Sequence, residues 1–123
     1  MKQRFSDNTF LVASQRFLAP ADGELDVLTI PRGHFLEEVW VEVIEGATTG
    51  TAAITVGIKG GAADAIITSV AANVADGVCY SSKTILPGKY CSVGTVITLT
   101  PAIGDSSIQG DFIVYARYTN ITR

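Results

Sequence analysis

The chain has 123 residues, of which 47% are hydrophobic and 17% are charged, and its net charge is -3. This length fits one domain, the apolar content excludes a disordered chain, and the small acidic charge argues against nucleic-acid binding. After Glu45 only nine residues are Lys, Arg, Asp or Glu. Because a small soluble monomer ordinarily has a charged, mixed surface, this composition favours a protein that covers its surface by assembly.

The N-terminus predicts neither a membrane anchor nor a secretion signal. No stretch reaches the roughly 18 apolar residues that a membrane helix needs. Lys2 and Arg4 are followed by polar residues 6–8, which interrupt the apolar core of any signal peptide. We therefore expect synthesis in a cytoplasm and no membrane partner. Cys79 and Cys91 are expected to be reduced and mostly buried, with a cross-strand disulfide as the alternative.

Residues 1–24 differ from the rest of the chain. Their apolar residues lie among polar ones without a period of 2 or 3.6, and Pro20, Asp22 and Gly23 close the segment with turn-forming residues. We predict an extended N-terminal arm over 1–24 that reaches onto a neighbouring subunit. The same residues also fit a first strand and loop packed on their own domain. The candidate partner-binding residues are the apolar anchors of this arm: Phe5, Phe10, Leu11, Phe17 and Leu18.

Strand patterns follow one another from residue 25 to the end, which predicts a β-sandwich domain over 25–123. In the longest run, alternate residues such as Val41 and Glu42 point to opposite faces. Gly57 lies inside another run and indicates a bulge or a close backbone approach. Pro101 is expected to end the run before it. The predicted strands are residues 25–30, 35–44, 53–59, a short strand within 62–75, 77–82, 83–86, 94–100 and 108–119.

These patterns predict the fold class. About eight strands separated by turn residues, roughly every 8–12 positions, are typical of a sandwich or barrel. Long amphipathic helices between the strands are missing from the pattern, which disfavours an α/β fold. We predict an all-β protein with a single jelly-roll-like β-sandwich.

Residues that catalyse reactions or bind metals are sparse. His34 is the single histidine and lies in a turn pattern, which is typical of a surface residue rather than the base of a catalytic triad. One histidine and two cysteines are too few for a four-ligand zinc site. Asp22, Glu24 and Asp26 have the spacing of a calcium loop's start, but its central glycine and final glutamate are missing. We therefore predict no enzymatic activity, no metal and no cofactor.

Three stretches, in this order and spacing, resemble small β-sandwich structural proteins of tailed bacteriophages. They are residues 38–43 (EVWVEV), 53–58 (AITVGI) and 110–119 (GDFIVYARYT), and the resemblance covers roughly residues 36–120. Those proteins include head decoration (cement) proteins, which are often trimers on the capsid surface. The resemblance implies a virion structural protein at the capsid surface that stabilises the phage head by binding across capsomers. Its partners would be the major capsid protein and copies of itself, expected as a homotrimer.

A second function stays open at this point. A carbohydrate- or receptor-binding module of a phage fibre or head fibre would have a similar strand pattern. Its contacts would come from exposed tyrosines and from the loops around Thr48, Thr49 and Asp105.

Overall fold

The computed structural model describes residues 10–81, 89–104 and 108–120. In this part of the chain nine β-strands form two antiparallel sheets, and no helix is present. The all-β prediction is confirmed. The strands are β1 Phe10–Leu18, β2 Leu25–Ile30, β3 His34–Glu45, β4 Ala53–Ile58, β5 Ile67–Ala71, β6 Cys79–Ser81, β7 Lys89–Cys91, β8 Thr95–Ala102 and β9 Asp111–Asn120.

The two sheets have the strand arrangement of a jelly roll. Sheet I has the order β1-β9-β3-β6, with β7 also paired to β3, and sheet II has the order β2-β8-β4-β5. β6 pairs with residues 40–42 of β3 and β7 with residues 34–36, so together they fill one strand position. Counted that way, each sheet has four positions, and the chain crosses between sheets at every connection except the β4–β5 hairpin. The prediction of a single jelly-roll-like sandwich is therefore confirmed.

The core lies between the sheets and follows the period-two alternation of the strands. On β3, Val39, Val41 and Val43 are fully buried, whereas Trp40 and Glu42 between them are half-buried on the opposite face. Each fully buried aliphatic side chain contributes about 1.5–3 kcal/mol relative to an exposed one. The largest fully buried residues on the other strands are Ile30, Ile54, Val56, Ile97, Leu99 and Phe112.

Strand β1 belongs to sheet I. It pairs with β9 over its whole length, from Phe10 opposite Thr119 to Leu18 opposite Asp111. The predicted arm therefore does not extend away from the sandwich at residues 10–18, because their backbone is paired within the sheet. This segment forms the first strand that the sequence left open as the alternative. Residues 1–9 lie outside the described part of the chain.

Strand β8 continues through Pro101 to Ala102, although the sequence predicted an end at that proline. The neighbouring strand β2 begins at Leu25, opposite Leu99, and its pairing does not reach Pro101. At Pro101 the strand therefore pairs on one side only, with Ile54 of β4. A proline is tolerated where one side of a strand has no ladder partner. Its carbonyl still accepts a hydrogen bond from the Gly23 amide at 3.2 Å.

Two other predicted strands differ from the structure or fall outside it. The predicted strand 83–86 lies outside the described residues, and β7 was not predicted because three residues are too few to show alternation. The last strand begins at Asp111 rather than at residue 108, since Gly110 turns the backbone with φ of 98°.

The close backbone approach predicted at Gly57 is confirmed. A Cβ at this position would lie 2.4 Å from the carbonyl oxygens of both Ala62 and Ala63, in the turn that follows β4. The pairing of β4 with β5 also shifts register between Ile54 and Val56. Only glycine allows the turn to fold back over the strand here.

We predict that Gly57→Ala lowers the free energy of unfolding by about 1–3 kcal/mol, because backbone atoms must move to admit the methyl group. Urea denaturation measures this. Gly94→Ala is the matched control, since its Cβ would meet only the Thr29 Cγ2 atom at 3.8 Å. Equal losses in the two variants would contradict this interpretation.

Candidate interaction surface

The outer face of sheet I is the side of β1, β9, β3 and β6 that points away from the core. At its centre Trp40 lies opposite Tyr115, and their rings stack with centroids 5.2 Å apart and planes 12° apart. Ser14 lies opposite Tyr115 on the β1 side, and Ser81 lies opposite Trp40 on the β6 side. Because small serines flank the two rings, the rings form a ridge on this face, here called the aromatic ridge.

Both aromatic residues are half-buried, so part of each ring stays available to a partner. Trp and Tyr are enriched in protein interfaces because they offer a large apolar area together with a polar tip. The aromatic ridge is the feature of this face best suited to binding.

Glu42 fixes the position of the Tyr115 hydroxyl. The hydroxyl donates a hydrogen bond to the Glu42 Oε1 atom at 2.8 Å. This bond, with smaller effects of desolvation and of the carboxylate charge, raises the pKa of Tyr115 above its ordinary 10.0. Tyr115 is therefore a neutral donor at physiological pH, and its hydroxyl is held beside the Glu42 side chain at the edge of the aromatic ridge.

Two arginines on this face contact carboxylates. Arg16 on β1 donates from Nε to the Asp111 Oδ1 atom at 3.0 Å, and its Nη2 contacts Oδ2. This bidentate contact raises the pKa of Arg16. The Asp111 side chain is only 5% exposed, so the arginine supplies the charge that this carboxylate needs. Arg117 Nη2 lies 3.7 Å from the Glu38 Oε1 atom.

Two exposed apolar side chains on β1 border this face. Leu18 is 71% exposed and Val12 is 59% exposed. They lie opposite Asp111 and Arg117 in the pairing with β9. These two side chains lie at opposite ends of β1 and add exposed apolar area to the face that carries the aromatic ridge.

The predicted partner-binding residues have different positions. Leu11 and Leu18 are exposed, at 42% and 71%, whereas Phe17 lies opposite Phe112 and packs against the core. Phe10 begins β1, and Phe5 lies outside the described residues. The sequence analysis considered Tyr115 only among the tyrosines of the receptor-binding alternative and missed Trp40; the two lie 75 positions apart and meet only through the β3–β9 pairing.

The loops between the sheets at one end are held by their own polar groups. The Thr48 hydroxyl accepts a hydrogen bond from the Ile108 amide at 3.1 Å, and its carbonyl accepts one from Asn73 Nδ2 at 3.0 Å. Asp22 accepts hydrogen bonds from the amides of Ile103 and Gly104 at 2.7 and 3.1 Å. These groups stabilise the loops. Asp105, proposed for the receptor-binding alternative, lies outside the described residues.

The residues considered for calcium and catalysis have structural contacts. Asp26 pairs with Lys59 at 2.9 Å, and Asp22 is bound by the amides described above. The His34 Nδ1 atom lies 3.2 Å from the Arg32 carbonyl oxygen, and the His34 ring meets Tyr118 edge-on. Across the described ranges no group of three or more His, Cys, Asp or Glu side chains could hold a metal ion.

The two cysteines are free thiols. Cys91 is buried as predicted, but Cys79 is exposed. Cys91 lies opposite His34 and Cys79 lies opposite Glu42, at the two ends of β3, so the alternative of a cross-strand disulfide is wrong.

Within residues 10–81, 89–104 and 108–120 no helix is long and apolar enough to cross a membrane.

A hollow of about 360 Å³ at the other end of the sandwich carries no site chemistry. Its lining includes Tyr90, Val93 and one charged residue, Lys59, which already pairs with Asp26. The outer face of sheet I therefore remains the candidate functional surface.

Comparison with known proteins finds the same fold in phage capsids. No family model matches this chain, and no curated protein matches it in sequence. A chain from the acid-stable capsid of Helicobacter pylori bacteriophage KHP30 superposes with a TM-score of 0.73 at 14% identity, covering 89% of this chain and 86% of its own. A chain from the capsid asymmetric unit of cyanophage Pam1 has a TM-score of 0.72 at 18% identity, covering 97% and 90%.

A third similar structure is a chain from the capsid of Ralstonia phage GP4. Its TM-score is 0.69 at 12% identity, and the match covers 94% of this chain and 86% of that one. Since each match covers nearly all of both chains, these capsid chains are similar in length to the present one. At these identities the comparison establishes the fold.

We predict that Glu42→Gln lowers the pKa of Tyr115, because the negative charge that opposes tyrosinate formation is lost. The ultraviolet absorbance of tyrosinate measures the titration, and Tyr115→Phe identifies the component that belongs to this residue. Its pKa is raised in the folded state, so the bond contributes stability that is complete below pH 10.0 and is lost as pH rises through the folded-state pKa. An unchanged titration in Glu42→Gln would contradict the contact.

We also predict that Arg16→Ala lowers the free energy of unfolding more than Lys59→Ala does. The arginine substitution leaves the buried Asp111 carboxylate without its cation, whereas Lys59 and Asp26 are each 57% exposed and water replaces the lost partner. Denaturant unfolding of both variants gives the ranking. The reverse order would show that Asp111 does not depend on Arg16.

Proposed function

We propose that this chain is a virion structural protein of a tailed bacteriophage, and specifically a decoration (cement) protein. It stabilises the phage head by binding across capsomers at the capsid surface. The observation that carries the proposal is the match, over nearly the whole chain, to three chains of similar length from phage capsids. One sandwich of 13.0 kDa fits an accessory component bound to a shell.

The physical character of the surface supports this function. The chain after Glu45 carries few charges, so much of its outer surface can be buried with little loss of charge hydration. On the outer face of sheet I, Arg16 and Arg117 are already paired with carboxylates. Burial of this face against a shell therefore leaves these two cations with partners.

We propose that the aromatic ridge binds the major capsid protein. Interface energy concentrates in a few central Trp, Tyr and Arg residues, and Trp40 and Tyr115 occupy the centre of this face. A protein that binds the assembled shell but not its dissociated subunits stabilises the shell by mass action. The gain per site is about 2.7 kcal/mol when the free protein is at one hundred times its dissociation constant.

The chain also associates with itself in this proposal, as a homotrimer made in the host cytoplasm. The apolar anchors Phe5, Phe10, Leu11 and Leu18 contact a neighbouring subunit, with residues 1–9 acting as an arm. Exposure of Leu11 and Leu18 supports this role. Phe17, the remaining predicted anchor, is half-buried and also packs against the core.

We predict that the purified protein cosediments with shells of its virus's major capsid protein and raises the temperature at which they rupture. Trp40→Ala should weaken this binding about tenfold or more, since it truncates the ridge. Val93→Ala is the matched control, because Val93 is 67% exposed and lies in the hollow at the other end of the sandwich. Shells that neither bind the wild-type protein nor gain stability would contradict the proposal.

A carbohydrate-binding module of a fibre or head fibre is the second candidate. Its supporting observation is the half-exposed stack of Trp40 and Tyr115 beside the Glu42 carboxylate, because sugar rings pack on aromatic faces and donate hydrogen bonds to carboxylates. Saturable binding on a glycan array that is lost in Trp40→Ala would favour this function. Binding to purified shells without any glycan would favour the decoration protein.

A further inference from the structure

Strand β1 is a long edge strand whose single charged side chain, Arg16, is paired with Asp111 on the neighbouring strand. In the described residues it pairs on one side only, with β9, at the end of sheet I. Its nine residues keep one register without a bulge, and its sequence, FLVASQRFL, contains no Pro, Gly or Lys. Proteins usually protect such an edge with short length, bulges, proline or lysine, since an open edge pairs with other strands.

The exposed side chains of β1 have a pattern that matches itself when reversed. After Phe10, which begins the strand, the outer face presents Val12, Ser14, Arg16 and Leu18 in order. The two outermost are apolar and highly exposed, and the two inner ones are a small hydroxyl residue and an arginine. An antiparallel copy of this series therefore places apolar residues opposite apolar residues and serine opposite arginine.

We propose that β1 pairs antiparallel with β1 of a second copy of this chain, about a twofold axis through Gln15. Val12 then lies opposite Leu18 of the partner subunit, and Ser14 lies opposite Arg16 of the partner subunit, each pair occurring twice. The twofold axis is perpendicular to the sheet, so residues opposite each other share a face and the two outer faces become continuous.

Neighbouring registers are less favourable. With the axis at Arg16 the two arginines face each other directly, and like charges opposite one another destabilise a strand pair. With the axis at Ser14, Leu18 faces Phe10 of the partner subunit, but Val12 faces Arg16 of the partner subunit, which sets an apolar residue against a charged one twice. Ala19, with φ of 48°, turns the chain out of the strand. When Phe10 and Leu11 stay outside the pairing, residues 12–18 form the stretch that pairs, and its central residue is Gln15.

The same series of side chains explains why the strand that pairs with β1 is β1 of another copy of this chain. A foreign strand would need its own complementary sequence, whereas β1 supplies one by symmetry. Arg16 is already neutralised by Asp111, so the contact requires no further counter-charge from the partner. This twofold contact is independent of the proposed binding to a shell. If the chain is also a trimer, the contact joins copies that belong to adjacent trimers, and the neighbouring subunit that Leu18 contacts then belongs to the adjacent trimer.

Paired charge substitutions test both the contact and its register. Val12→Lys with Leu18→Lys places like charges opposite each other twice and should raise the dissociation constant of the twofold contact at least tenfold. Val12→Glu with Leu18→Lys places opposite charges there and should restore association. Sedimentation equilibrium measures the mass of each, and circular dichroism checks the fold. An unchanged mass in the double-lysine variant would overturn the proposal.

Cross-linking gives a second test that does not depend on the strength of the contact. In a Cys79→Ser background, Gln15→Cys should form a disulfide-linked dimer under mild oxidation, because the two cysteines face each other across the axis with Cβ atoms about 4.5–5.5 Å apart. Ser14→Cys is the control, since it lies opposite Arg16 of the partner subunit. Equal cross-linking at both positions, or none at Gln15→Cys, would overturn the register.

Discussion

Strand β3 is held between β9 on one side and β6 and β7 on the other, so its period-two alternation decides where both faces of sheet I point. Val39, Val41 and Val43 face sheet II and build the core, and this fixes Trp40 and Glu42 on the outside. A slip of one residue would expose the valines and bury the carboxylate. The register that stabilises the fold is therefore the register that creates the aromatic ridge.

The low charge of the chain has a structural counterpart on that ridge. On the same face Arg16 and Arg117 contact carboxylates, and the Tyr115 hydroxyl binds Glu42, before any second protein arrives. A surface of this kind has little hydration to lose when it is covered. Among the described residues no strand pairs with the outer edge of β1 beside it, and this edge carries exposed apolar residues. Both features favour a protein that functions in an assembly.

The central strands could be predicted from the sequence because each has one buried and one exposed face. The patterns at 25–30 and 35–44 agree with β2 and β3 to within one residue at each end. β1 gave no clean period because it lies at the sheet's edge. There Val12 and Leu18 are exposed apolar residues on the outer face, and Gln15 occupies an inward-facing position that the sandwich leaves open. Edge strands obey the alternation rule least, since solvent reaches both faces.

The candidate surface was less accessible to sequence analysis than the fold. The Trp40–Tyr115 stack depends on strand pairing between distant parts of the chain, which periodicity does not report. Phe17 was predicted as an anchor for a partner, but its position opposite Phe112 places it against the core. Apolar residues in a segment of unknown register fit an interface and a core equally well, and only the register separates the two.

A cryo-electron microscopy reconstruction of the virion whose genome encodes this chain tests the central claim most directly. The account predicts jelly-roll density on the outer surface of the head, seated across boundaries between capsomers with the face of Trp40 and Tyr115 against the shell. Density for this fold in a tail or fibre, with a head surface that lacks it, would contradict the account.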